Sequence, residues 1–353
     1  MARKSLFARV KRRAMVSSYA LLYFVLWIPV VVVIFLPFYI FRTFLAILKC
    51  LLRTDLDKLM HTRSSVLARD DHTGKPSWNL VVWLTQEGVM DLDKFCEYFH
   101  KDYVLKKKPN GRFQFPEYQQ HYEKWWGYLF WRWEENFDIK DHIREYDGVH
   151  KADVVDHDRL VQIVKELTWK PWNPKKSPWE FLQIKNFQDG KGDGVEKSLL
   201  LFRIHHGLGD GYYILKLLMQ DVCGISLENA LGRPEYVRRS WYQKLILGFL
   251  FWVRTPYQVM EQLTTSWDVN QWHLPMEQLT RPMNAALTDC IPLDYIKSIK
   301  NMHHVSFTAT VLAAITGGLR NHMLDRGIPV PTEMHTAVAV PMPGHPPKLR
   351  NHL

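Results

Sequence analysis

Residues 198–218 read SLLLFRIHHGLGDGYYILKLL. A β-prone run ends in two adjacent histidines, crosses a glycine-rich turn, and enters a segment of helix-like apolar spacing. Asp210 is placed to cap that helix and accept backbone N–H bonds, or to pair with an arginine. Gly207, Gly209 and Gly211 allow positive φ and close backbone approach. Such a turn holds an imidazole at the end of a sheet with little freedom. A neutral histidine that titrates near physiological pH can take a proton from a hydroxyl. No serine or cysteine stands beside the pair as a nucleophile. The simplest chemistry is therefore direct: a histidine deprotonates a bound alcohol, which attacks an acyl donor. Paired histidines also occur as ordinary turn residues or as metal ligands, and for a metal, further ligands at suitable spacing are missing.

Working outward, residues 179–187 (WEFLQIKNF) and the run ending at Ile204 flank the loop QDGKGDGVEK, which predicts an antiparallel hairpin. GKGDG lacks the spacing of a phosphate-binding P-loop, and no helix follows it. Residues 78–84 predict a strand, and 91–104 a helix capped by Asp91. KKKPNGRF at 106–113 reads as a solvated loop. Leu160, Ile163, Val164 and Leu167 lie on one face of an amphipathic helix over 158–169. The aromatic stretch YEKWWGYLFWRW at 122–133 fits either a core cluster or a membrane-surface belt. After a linker over 226–283, a second α/β unit is expected: a strand near Ala286, helices over 293–302 and 307–324, and a strand over 335–343.

The N-terminus carries a different signal. Residues 19–41 form 23 positions without a charge, preceded by Arg3, Lys4, Arg9, Lys11, Arg12 and Arg13. At about 1.5 Å per residue such a run crosses the hydrocarbon core of a bilayer. A cleavable signal peptide has a shorter apolar core and a small-residue cleavage site. Residues 1–55 therefore read as a basic tail and a retained membrane segment. Two geometries compete: a single kinked span, or a re-entrant hairpin broken at Pro29 and Pro37. A second apolar patch, LILGFLFWV at 245–253, is too short to span. A buried core helix is its default reading, and an interfacial helix its rival.

The 353 residues are 47% hydrophobic and 23% charged, a globular composition. The net charge of +10 is concentrated in the tail, and no nucleic-acid module accompanies it, so nucleic acid is not an expected partner. Cys50, Cys96, Cys223 and Cys290 are too scattered for a zinc site or a disulfide framework.

HHGLGDG resembles the HHxxxDG motif of the chloramphenicol-acetyltransferase-like superfamily. FDIKDHIREYD (137–147) and SPWEFLQIKNF (177–187) are similar to the "FD…HVR" and "PLWE" segments of the wax ester synthase/acyl-CoA:diacylglycerol acyltransferase family. IPLDYIKSIK, TVLAAITGGLR and VAVPMPG resemble later segments of that family, in order. The resemblance implies an α/β, two-subdomain mixed-sheet fold with a tunnel between the subdomains. The N-terminal subdomain would occupy 60–225, and 284–353 would begin the second. His206 would be the general base, His205 its positioning neighbour, and Asp210 the residue holding the loop. Acyl-CoA would be the co-substrate, with no separate cofactor or metal. A fatty alcohol or diacylglycerol would be the acceptor, giving a wax ester or triacylglycerol. Because acyl-CoA is cytosolic, this reading favours the re-entrant hairpin. Membrane lipids would be the surroundings, at the endoplasmic reticulum or lipid droplets, with the plasma membrane a further site. Two departures stand out. Thr308-Ala309-Thr310 occupy the place of a family Asn-Asp pair, and the chain stops near Asn351, where an asparagine-containing family segment begins, so the second subdomain is expected to be incomplete. The rival reading is an inactive truncated relative that coats membranes or lipid droplets.

Overall fold

In the computed structural model the described residues are 2–150, 153–190, 194–226, 239–265, 291–336, 338 and 348–352. They form a mixed α/β architecture in two compact units, Met1–Val33 with Arg239–Ala339, and Ile34–Arg238 with Val340–Leu353. The expected strand near Ala286, most of the linker and most of the strand over 335–343 lie outside the described residues.

The N-terminal segment is helical from end to end. Helix α1 (Ala2–Leu22) passes through one π-turn, Tyr23–Trp27, into α2 (Ile28–Leu52). No non-helical residue interrupts the run, which corrects the expectation of a re-entrant hairpin. The reason is local. Proline cannot donate to the ladder and its ring crowds the carbonyl four residues earlier. The widened π-turn just before Pro29 relieves that crowding, and Pro37 is absorbed inside α2. Among the described residues, Val32–Leu52 is the helix long and apolar enough to cross a membrane, with almost none of it buried.

In the same unit as α1, helix α8 (Trp241–Thr265) packs along it. The default reading of 245–253 as a buried core helix is overturned: Leu245 is 64% and Phe251 69% exposed. Apolar residues surround this part of α8, and a single partner helix covers only one stripe of them. Helices α9 (Leu293–Met302) and α10 (Phe307–Asp325) match the expected 293–302 and 307–324.

The other unit holds two sheets. One is a three-stranded antiparallel sheet in the order β1 (Leu56–Leu59), β4 (Tyr128–Trp133), β3 (Gln120–Trp125). The other is four-stranded, in the order β2 (Asn79–Glu87), β7 (Lys197–His205), β6 (Trp179–Phe187), β5 (Ile143–Glu145). β2, β7 and β6 are antiparallel, as the hairpin expectation required, and β5 joins β6 in parallel. Strand β7 is buried along its whole length, in keeping with its apolar run Leu199–Phe202. Its alternate residues serve two cores. Leu200, Phe202 and Ile204 pack with Phe99 of α4 (Leu92–Phe99), while Leu199 and Leu201 pack with Leu160, Ile163 and Leu167 of α6 (His157–Trp169). Asp91 caps α4 by accepting the Lys94 N–H at 3.1 Å.

Two of the segments that carried the family resemblance, 137–147 and 177–187, meet in space. His142, at the end of α5 (Ile139–His142), stacks on Trp179 with ring centroids 4.5 Å apart and donates from Nδ1 to the Trp179 carbonyl at 2.8 Å. Arg144 donates to Glu180 at 2.9 Å, and buried Arg203 of β7 reaches the other Glu180 oxygen at 2.6 Å. Arg203 also lies over the Trp172 ring, 3.7 Å from its centroid. A carboxylate held between two guanidiniums pins β5, β6 and β7 to one another.

Candidate active site

Strand β7 ends at His205, which lies opposite Asn79 in the ladder with β2. The backbone then leaves the sheet through His206 and turns into α7 (Gly211–Lys216). Asp210 is the N-cap, as its position in the sequence suggested. Its Oδ1 accepts the Tyr213 N–H at 2.9 Å, and its Oδ2 accepts the backbone N–H of His352 at 3.0 Å. One buried carboxylate thus ties the start of α7 to a segment 142 residues further along the chain.

The two histidines have different surroundings. His205 is fully buried, and both ring nitrogens are engaged. Nε2 lies 3.0 Å from Asp70 Oδ1, while Nδ1 lies 2.9 Å from the Tyr122 hydroxyl and accepts the Gly207 N–H at 3.2 Å. A backbone N–H can only donate and a carboxylate can only accept, so the proton of neutral His205 sits on Nε2. The ring of His205 therefore serves as a post for the turn that follows His206.

His206 is held by its backbone instead. Its N–H donates to the Trp78 carbonyl at 2.8 Å, and its carbonyl accepts from Asn351 Nδ2 at 2.7 Å. Asn351 is fully buried, and its own N–H donates to Ser64 Oγ at 3.1 Å. The His206 ring stands edge-on to Trp78, and its Nδ1 is buried with no hydrogen-bond partner among the described residues.

The glycines divide as well. None of Gly207, Gly209 and Gly211 has a positive φ, which corrects that part of the reading. Close approach is what requires Gly207: a Cβ there would meet the Ala68 Cβ at 2.7 Å. A Cβ on Gly209 would lie 3.2 Å from Leu349, whereas Gly211 faces open space.

Asp70 was not singled out from the sequence, although Asp70-Asp71-His72 is a conspicuous polar cluster. Burial raises its carboxyl pKa. The His205 hydrogen bond and the Ser77 and Trp78 N–H groups outweigh this and hold it below the usual range. His72, with its ring 4.4 Å from Tyr122 and 5.7 Å from His205, is pushed down to about 4 by burial and by the neighbouring His205. Burial also lifts the Tyr122 phenol well above its ordinary value, so it stays protonated.

No protein-family profile and no curated protein matches this sequence. Solved structures do. A wax ester synthase/diacylglycerol acyltransferase from Marinobacter aquaeolei VT8 is similar at 12% identity and a TM-score of 0.44, over 77% of this chain and 62% of that one. Polyketide synthase associated protein 5 from Mycobacterium tuberculosis is similar at 14% identity and a TM-score of 0.39, over 76% and 58%. The first condensation domain of the calcium-dependent antibiotic synthetase is similar at 10% identity and a TM-score of 0.35, over 74% and 60%. The chain thus spans under two thirds of the length of each of these proteins.

Proposed function

We propose that this chain is a membrane-associated O-acyltransferase that moves a fatty acyl group from acyl-CoA to a long-chain alcohol or diacylglycerol, with His206 as the general base. The observation that carries this reading is the contrast within the histidine pair. His205 has both nitrogens occupied, while Nδ1 of His206, among the described residues, has no hydrogen-bond partner and its backbone is fixed at N–H and carbonyl. In the proposed step His206 takes the hydroxyl proton of the acceptor, and the oxygen bonds to the acyl carbon. The carbon–sulfur bond breaks, and the thiolate recovers the proton from the imidazolium. His205 and Asp210 position the loop. The helix over Ala2–Leu52 supports a location in a lipid membrane, with the endoplasmic reticulum or lipid droplets proposed as the site.

The test uses membranes from cells expressing the full chain, supplied with labelled acyl-CoA and either a fatty alcohol or diacylglycerol. Ester should form, and His206→Ala should abolish it. Ester formation undiminished in that variant would overturn the mechanism. A wild-type chain with no turnover on either acceptor would favour the non-catalytic reading.

A further inference from the structure

The turn joining β3 to β4 is formed by Trp126 and Gly127, with φ of 49° and 82°. Two consecutive positive φ values define the tight hairpin turn for which Asn-Gly is the favoured pair. A bulky residue in the left-handed region is strained by about 1–3 kcal/mol, so tryptophan is a poor choice for the turn itself. Nor does burial account for it, since Trp126 is 66% exposed.

Its neighbours do account for it. The hairpin tip lies against α2 where the uncharged run ends. Phe41 is 6.4 Å from Trp126 and 6.2 Å from Tyr128 between ring centroids, and the Tyr128 hydroxyl donates to the Phe38 carbonyl at 3.0 Å. The next residue of the helix, Arg42, folds back to donate to the Met60 carbonyl at 3.1 Å. Leu45 of α2, Leu56 of β1 and Phe130 of β4 form a closed core that fixes helix and sheet together. The tip therefore reaches the level of Phe38, about 6 Å inside Arg42 along the helix axis.

Charge sets the boundary. The strand pair at the tip is Trp125 with Tyr128, and the following pairs bring in Lys124, Glu123 and Arg132. A bilayer covering the sheet would have to bury these charges, whereas one ending at the tip meets only aromatic and apolar groups. Tryptophan and tyrosine are the side chains that favour the zone between headgroups and acyl chains.

From this juxtaposition we infer that the Trp125–Tyr128 hairpin tip inserts into the lipid headgroup zone beside α2, as a second membrane contact. It sets the height and tilt of the sheet that carries Tyr122, and through Tyr122 of His205. The inference rests on the membrane reading of α2 and not on the acyl-transfer reading.

The experiment places an environment-sensitive fluorophore on single introduced cysteines in the full chain, with Cys50, Cys223 and Cys290 replaced by serine and buried Cys96 kept, reconstituted in phosphatidylcholine vesicles. Labels on Leu36→Cys and Trp126→Cys should both be quenched by acyl-chain-brominated lipid. A label on Lys108→Cys, in the loop near the other end of the sheet, should be quenched only by aqueous iodide. Quenching at position 36 together with iodide access at 126 would overturn the inference. Loss of lipid quenching at 36 would overturn the membrane reading and this inference with it, leaving the His206→Ala result to stand alone. Trp126→Asn gives a second check, because it suits the turn. It should preserve or raise the melting temperature while making a label on Trp125→Cys more accessible to iodide. Unchanged accessibility there counts against the insertion.

Discussion

Nε2 of His205 is hydrogen-bonded to Asp70 Oδ1 at 3.0 Å, across 135 residues of sequence. The other oxygen of Asp70 accepts the N–H groups of Ser77 and Trp78, and the Trp78 carbonyl in turn holds the His206 N–H. One carboxylate thereby orients both histidines. Asp70→Asn should lower kcat about tenfold or more while KM stays within roughly threefold, because a positioned base contributes roughly 10²–10⁴ and substrate contacts are untouched. A change confined to KM in steady-state assays would refute the positioning role.

The two histidines should separate stability from turnover. His205→Ala strands Asp70, Tyr122 and the Gly207 N–H, and is expected to destabilise the chain by about 2–4 kcal/mol in urea melts. His206→Gln removes no side-chain hydrogen bond. It should shift stability by less than about 1 kcal/mol while eliminating ester formation.

Gly207→Ala should destabilise by about 1–3 kcal/mol, because its Cβ would land 2.7 Å from that of Ala68. Adding Ala68→Gly should restore part of the loss. Gly211→Ala meets open space at the first position of α7 and should be neutral or stabilising by up to about 1 kcal/mol. Equal losses at both glycines would argue against close approach as the cause.

Asn351→Ala leaves the His206 carbonyl without its amide donor and should cost about 1–3 kcal/mol, with a fall in kcat. Hydrogen exchange should show the His206 turn and residues 348–352 opening together in this variant. Protection unchanged at the turn would show that Asn351 does not hold it.

His72 is depressed to about 4 in the fold against 6.5 in the open chain, so between these values the unfolded state binds the proton and the native state does not. The stability this represents is complete above 6.5 and falls as pH drops towards 4. Asp70, also depressed, gives up its own contribution only below 3.8. His72→Phe keeps a ring against Tyr122, and should shrink the fall in melting temperature between about pH 7 and about pH 5. An identical fall in wild type and variant would exclude His72 as its source.

The sequence by itself determined several elements and where the candidate site is to be sought. Local periodicity sufficed for the β6–β7 hairpin and for α6, because each is set by neighbours a few residues away. The strand–loop–helix around His205 and His206 was legible for the same reason, as was the cap at Asp210. Three local readings failed on backbone and packing detail: the π-turn that carries the helix past Pro29, the exposure of residues 245–253, and the absence of positive φ at Gly207, Gly209 and Gly211. The aromatic stretch at 122–133 had two readings: Tyr122 and Phe130 are buried in the manner of a core cluster, whereas Trp126 is exposed at the tip. Only the tertiary structure shows that both ring nitrogens of His205 are engaged while Nδ1 of His206, among the described residues, has no hydrogen-bond partner. That depends on Asp70, Tyr122 and Asn351, which lie 135, 83 and 145 residues from their partners. Contacts at such separations leave no periodic trace in the sequence, because chain closure brings the groups together and local propensity does not.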